Sequence, residues 1–409
     1  MNVLALFIEQ ISDVRKIIDK KCDKVYKFVF TDVIKKIEEE NSNKSECYFR
    51  ICALRTFSWE MLHVGHWNEV DISERIRYSL ATFLEVILTM KMEGEITKTI
   101  LIECLKELDT GILLGASILN RNNQDILKIC AKEISLEISR HEEIRNIPMD
   151  TSVKTLPPVA VQLKSPATVK TQIDILDLPS IQKFHDDFFH TGRPVLLLNC
   201  LRHWPAFSKW TNLGYFIHRF GHRIVPIEIG SKYTESNWGQ KLVPLKDFIE
   251  RQFISRKDDT IMEYLAQHDL LDQIPELRDD IRIPDYCQVS DVEVKIWFGP
   301  SGTVSPMHFD KKHNLLAQIV GSKRLLLADP KDSEGIYPFD GKMLSNTSQL
   351  DLENVDEERF PKSKEVCFYQ VHLNAGELLY IPPGWWHHVR ALSNSISISF
   401  WWENESSKS

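Results

Sequence analysis

The chain has 409 residues, 43% hydrophobic and 26% charged, with a formal net charge of −8, an ordinary globular composition at a length that allows two or three domains. No run nears the ~18 apolar residues of a membrane span, since Glu85 interrupts the stretch 80–90, and the start MNVLALFIEQ lacks the basic n-region of a secretory signal. Residues 1–170 sum to −1 and residues 171–409 to −7, which speaks against direct nucleic-acid binding and suits a basic peptide substrate.

All 18 prolines lie at or after Pro148, and eight of the ten tryptophans lie beyond residue 200. Proline is excluded from helix interiors, so residues 1–147 are expected to form a helical interaction domain. In DISERIRYSLATFLEVILTM, Ile72, Ile76, Leu80, Phe83, Leu84 and Ile87 keep the helical period behind Asp71 and Glu74, a capping pair. Further amphipathic runs cover 100–108 and 126–138, and antiparallel helix pairs are expected. His63 and His66 beside Trp67 are the best polar cluster of this part and read as packing histidines. The eight cysteines are scattered without a CxxC pair, as in reduced cytosolic or nuclear proteins.

Residues 148–170 are dotted with proline and lack periodicity, and read as a linker. Short β-branched and aromatic runs follow at 194–199, 222–230, 292–299, 314–321, 323–330, 376–382 and 395–402, bounded by Gly, Pro and Asn. They predict an antiparallel sandwich or barrel over 171–409. Helical pieces are expected around 179–190 and 244–271. The fold class is therefore α+β.

His308-Phe309-Asp310 follows the turn GPSGTVSPM and enters a strand-like region. Positions i and i+2 of a strand share a face, so imidazole and carboxylate can converge. A histidine pair, His387-His388, ends the strand-like run GELLYIPPGWWHHV. Adjacent strand residues point oppositely, so only one of the two can join. Two histidines and a carboxylate on one face leave coordination positions open, as in non-haem Fe(II) oxygenases. The bland alternative keeps His308 and His387 as satisfied barrel residues.

From Asp291 to Trp402 the sequence resembles the jumonji-C family of iron- and 2-oxoglutarate-dependent oxygenases. The resemblance rests on HFDKKHNLLAQIVGSKRLLLADP, NTSQLDLENVDEERFP and GELLYIPPGWWHHVRAL, and extends over 171–409 through GRPVLLLNCLRHWPAFSKW and VPIEIGSKYTESNW. These segments are similar to the small hydroxylase branch, and residues 1–150 match only loosely. The resemblance implies a double-stranded β-helix (jelly-roll, cupin-like) barrel. Its Trp-His-x-Val pattern selects His387, so His308, Asp310 and His387 are the implied iron ligands. Tyr264, Ser305, Asn314 and Lys323 are implied to bind 2-oxoglutarate, with dioxygen as co-substrate. A buried dianion needs a cation and polar donors, although Lys323 alone would read as a solvated strand-end lysine.

In the arginyl hydroxylases of this branch an acidic residue and several aromatics hold the guanidinium. The matching positions are Glu228, Tyr233, Trp238, Trp297 and Trp401. A planar cation stacks on aromatic rings and pairs bidentately with a carboxylate. The alternative places Trp297 and Trp401 in the barrel core. The resemblance thus implies hydroxylation of an arginyl residue in a protein substrate, with demethylation of methyl-lysine in histones as the alternative. Two further readings are a histone-tail peptidase, for which neither HExxH nor G-x-S-x-G is present, and a non-enzymatic binding module. The helical part is expected to engage a protein partner that the sequence does not name. Nuclear placement follows from resemblance only, and a nucleocytoplasmic distribution fits equally.

Overall fold

The computed structural model describes residues 3–40, 42–66, 68–140, 143–153, 169–170, 173–230, 238–257, 260–341 and 344–403. Six helices come first: α1 (Val3–Lys21), α2 (Lys24–Glu38), α3 (Lys44–Leu62), α4 (Ile72–Met92), α5 (Lys98–Leu114) and α6 (Ile126–Ser139). Side chains of Asp23, Asn43, Asp71, Thr97 and Asp125 cap α2 to α6 by accepting first-turn backbone N–H groups, groups that otherwise lack a partner. Helix α4 is buried without a gap from Tyr78 to Leu88. It is a central helix rather than a one-faced one. Its one carboxylate within that stretch, Glu85, pairs with Arg55 Nε at 2.7 Å, and burial pushes its pKa up.

The chain folds into two compact units. The helical unit comprises Met1–Arg145 and also takes Phe216–Val225 and Pro244–Lys246 from the strand-rich part of the sequence. Arg223 anchors that insertion. Its guanidinium and the Asp109 carboxylate are both fully buried and meet at 2.7–3.0 Å, and Asp109 also accepts from Ile224 N at 2.8 Å.

The second unit comprises Asn146–Tyr215, Pro226–Val243 and Asp247–Ser409. The strands of the chain are β1 (Val169–Lys170), β2 (Asp174–Asp177), β3 (Val195–Leu198), β4 (Ile224–Ile229), β5 (Gly239–Pro244), β6 (Glu263–His268), β7 (Glu293–Gly299), β8 (Val304–Phe309), β9 (His313–Val320), β10 (Ser322–Ala328), β11 (Phe368–Asn374), β12 (Leu378–Ile381), β13 (Trp386–Ala391) and β14 (Ser395–Trp402). One sheet runs β1-β11-β10-β13-β8 and the other β2-β3-β12-β9-β14-β7-β6-β4-β5. From β8 to β14 the chain crosses between the sheets at every step except β10 to β11: β8, β10, β11 and β13 lie in the first, β9, β12 and β14 in the second. That winding is a double-stranded β-helix, the cupin-like jelly roll expected from the sequence. Leu316, Leu325, Leu327, Leu379 and Ile381 pack in one apolar cluster of this barrel. Another joins Met307, Leu326 and Trp386 to Ile336, Leu350 and Phe360 of the segment between β10 and β11.

One expectation is corrected. The segment 244–271, read as helical, is helical only over Leu245–Ile249, Glu250–Ile254 and Leu270–Gln273, and Glu263–His268 is strand β6. Its residues EYLAQH include good helix formers, but pairing of Glu228 with Tyr264 and of Leu265 with Phe298 overrides that local preference.

Candidate functional site

Strands β8 and β13 pair with His308 directly opposite His387, so the two imidazoles stand on one face, ring centroids 4.2 Å apart. The register slips just beyond, between His387 and Val389, where Val389 faces Ser305. Pro306 sits in that irregular stretch, where its missing N–H costs no ladder bond, and its carbonyl meets His308 Nδ1 at 2.7 Å. In the same way His387 Nδ1 meets the Trp385 carbonyl at 3.0 Å. A bond from each Nδ1–H to its own strand leaves Nε2 of both rings as the free acceptor. Asp310 follows β8, and its carbonyl accepts from Gly384 N at 2.8 Å. That bond ties the carboxylate segment to the Pro-Pro-Gly turn before His387, where Gly384 holds a φ of +79° that favours glycine.

The carboxylate of Asp310 lies 3.9 Å from His308 Nε2 and 3.7 Å from His387 Nε2. One ligand atom from each residue falls within 4.8 Å of the others. Among the described residues, Asp310 Oδ2 is buried without a hydrogen-bond partner, which is costly unless something else satisfies it. Burial, reinforced by His308, holds the His387 pKa well below the ordinary imidazole value, so the ring is a neutral donor. His388, opposite Leu326 on β10, faces the other side of its strand, as alternation requires.

The triad opens into a pocket lined also by Tyr264, Ser305, Asn314, Lys323, Trp297 and Trp401. Lys323 is 2% exposed. Its Nζ donates to Ser397 Oγ at 2.6 Å and Tyr264 Oη at 3.3 Å, and among the described residues no carboxylate pairs with it. Burial lowers its pKa to about 7. Asn314 Oδ1 is likewise buried and, among the described residues, has no hydrogen-bond partner. A lone buried cation flanked by hydroxyl groups is a receptor for a small anion.

Residues 181–408 match the family model described as a cupin-like domain. The chain is 40% identical over 372 residues to jumonji C domain-containing protein 5 of Drosophila melanogaster, covering 89% of this chain and 88% of the relative. The chain belongs to the cupin-like jumonji-C family. That is a family of Fe(II)- and 2-oxoglutarate-dependent oxygenases. Lysine-specific demethylase JMJ30 of Arabidopsis thaliana is 38% identical, with 87% and 86% covered. Lysine-specific demethylase 8 of Danio rerio is 36% identical, with 85% of each chain covered.

The residues present fit the jumonji-C cofactors. Two imidazole nitrogens and an orphaned carboxylate oxygen suit a divalent iron, and the isolated Lys323 ammonium suits the distal carboxylate of 2-oxoglutarate. Trp297 and Trp401 are half-buried cavity walls, rings nearly perpendicular at 6.5 Å, and Trp297 Nε1 donates to Ser399 Oγ at 3.0 Å. The buried packing tryptophan is Trp402, stacked with Phe189 and His313. Glu228 and Trp238 lie outside the cavity lining. They bond to each other, Trp238 Nε1 donating to Glu228 Oε2 at 3.3 Å. Glu228 sits directly across from Tyr264, and paired residues share a sheet face. Burial raises its pKa. Tyr233 falls outside the described residues.

Sequence reasoning missed Ser397 and Ser399, the hydroxyls that hold Lys323 and Trp297. The alternation in SISISFWW carries the signal: Ser397, Ser399 and Trp401 share one face by period two, and Trp401 pairs with Asn314.

Proposed function

We propose that this protein is an Fe(II)- and 2-oxoglutarate-dependent oxygenase that hydroxylates a C–H bond of an arginyl side chain in a protein substrate. The observation that carries the choice of arginine is Glu228. It is a largely buried carboxylate with an indole N–H as its hydrogen-bond partner and, among the described residues, no cation paired to it. A guanidinium would satisfy it bidentately and stack on the indoles of Trp238, Trp297 and Trp401.

His308, Asp310 and His387 would hold the iron, and Lys323 with Tyr264, Ser305 and Asn314 would hold 2-oxoglutarate. When bound, these groups couple dioxygen to the oxidation of 2-oxoglutarate to succinate and carbon dioxide, one oxygen atom going to each of succinate and the substrate C–H bond. Nδ1–H bonds to Pro306 and Trp385 keep both imidazoles aimed inward. Lys323, locked by Ser397, neutralises the distal carboxylate. Trp297 and Trp401 wall the cavity and exclude water, while Glu228 fixes which carbon of the side chain faces the metal ligands.

A second reading has a specific support: two of the relatives carry the name lysine-specific demethylase. In that case the same oxidation falls on an N-methyl carbon, and the resulting hemiaminal releases formaldehyde. Incubating arginine peptides and methyl-lysine peptides side by side with Fe(II) and 2-oxoglutarate separates the readings by mass spectrometry. The arginyl reading expects one added oxygen on arginine, whereas methyl loss with formaldehyde from the lysine peptides alone overturns it. Nuclear residence with a cytoplasmic fraction belongs to the same proposal, and imaging of the tagged full chain tests it.

A further inference from the structure

Helix α3 is apolar on two sides. Cys47, Ile51 and Leu62 are buried against the helical unit, yet Phe49, Ala53 and Phe57, at i, i+4 and i+8, form a ridge on the outside. A helix with one packed face is expected to be polar on the other. Helix α2 adds Val25 and Phe28 to the same outer face. Asp32 pairs with Arg50 at 2.6 Å, and the Tyr26 hydroxyl lies beside Ser58, so the two helices run antiparallel with Val25 and Phe28 level with Phe57 and Ala53. Val25 is 69% exposed, Phe28 72%, Phe49 75% and Phe57 50%. Together these side chains open roughly 500 Å² of contiguous apolar surface, as much as the largest patch of an ordinary monomer and often a binding surface. Charges close both ends of the patch. On α2 the outer ridge continues through Lys24 and Lys35, and on α3 it continues through Glu46 and Glu60. All four are exposed, and among the described residues none of them has an ion-pair partner.

We propose that the α2–α3 face pairs with the same face of a second copy of this chain, about a two-fold axis running along the helices. That axis lays α2 of one protomer on α3 of its partner, at the same height and antiparallel. The antiparallel register within one chain sets Lys24 level with the Glu60 end of α3 and Lys35 level with the Glu46 end. Across the axis Lys24 therefore meets Glu60 of the partner subunit, Lys35 meets Glu46 of the partner subunit, and the apolar residues meet between them. A positive–apolar–positive ridge thus lies on a negative–apolar–negative one, and each contact occurs twice by symmetry. The other face-to-face two-fold stacks α2 on α2 and α3 on α3, lysine against lysine and glutamate against glutamate, and is disfavoured. The area is sufficient: a stable dimer buries about 800 Å² per partner, and the stems of the four charged residues extend the apolar patch toward that value. Paired in this way, the two hairpins form an antiparallel four-helix layer.

Sedimentation equilibrium of the full chain from about 1 to 100 µM tests this, with folding of every variant followed by circular dichroism. The chain should show twice its monomer mass at the upper end of that range. Phe28→Glu and Phe49→Glu change exposed residues, so the fold should persist while the dimer weakens about 100-fold. Charge reversal reports on the axis itself. Lys24→Glu alone and Glu60→Lys alone should each weaken the dimer about fivefold to tenfold, and the two together in one chain should restore it, because both symmetric pairs re-form with the signs exchanged. A chain that stays monomeric throughout overturns the proposal and leaves the face to a partner of another sequence. A dimer untouched by both phenylalanine substitutions overturns it as well, since the contact then lies elsewhere. A double reversal no tighter than its weaker single variant refutes this two-fold.

Discussion

Lys323 carries the sharpest chemistry of any single residue in the cavity. Burial brings its pKa from 10.5 to about 7. Between those values the unfolded chain holds more protons than the folded one, so the ligand-free protein gains stability as pH rises across that window. A bound dicarboxylate favours the charged form and reverses the shift. At pH 8 binding of 2-oxoglutarate should therefore take up close to one proton, visible as a binding heat that changes with the ionisation enthalpy of the buffer. A Lys323→Met variant should bind about 10- to 100-fold more weakly and show no such uptake. Buffer-independent heats for the unsubstituted protein would remove Lys323 from the co-substrate site. This residue was legible in the sequence only through the resemblance, because its isolation from any carboxylate arises from strands brought together by the fold.

Strands β6 and β7 show how tightly an element positions a site residue. Gly299 ends β7, and a Cβ built there would lie 2.4 Å from Tyr264 Cδ2 and 2.8 Å from Cε2. The Tyr264 ring is buried and also bonds Lys323, so it has little freedom to give way. Gly299→Ala should cost about 1–3 kcal/mol of stability and weaken 2-oxoglutarate binding more than iron binding. Calorimetric titration of each ligand checks this, and an alanine variant with unchanged 2-oxoglutarate affinity would show that the ring does not serve the co-substrate. At this scale the sequence was partly readable. The alternation of β7, β9, β10 and β14 is plain in the residues, and His308 and Asp310 fall on one face by simple period two. Strand β6 was hidden, because EYLAQH has helix-forming residues and becomes a strand only through its partners. Glu228 could be marked as an odd acid on an apolar strand, but its bond to Trp238 and its place outside the cavity lining depend on pairing that no local pattern encodes.

For the molecule as a whole, the uneven spread of proline and tryptophan foretells a helical unit followed by a barrel. It does not foretell that Phe216–Val225 and Pro244–Lys246 join the helices. A buried ion pair between residues 114 positions apart ties the first of these segments to the helices, beyond the reach of any window of sequence. Asp109→Ala should destabilise the helical unit by about 3–5 kcal/mol, since it strands a buried guanidinium. Deleting residues 1–170 should be worse than neutral for the remainder, because it keeps Arg223 and removes Asp109. Thermal unfolding of both variants measures this, and a truncated barrel melting as the full chain does would contradict it. The central claim, that one cavity built by His308, Asp310, His387 and Lys323 transfers oxygen to an arginyl side chain, is tested most directly by isotope. With labelled dioxygen, unlabelled water, Fe(II) and 2-oxoglutarate, the label should appear once in the arginyl residue and once in succinate. Labelled succinate with an unlabelled or unmodified arginine, across peptides that bind, would contradict it.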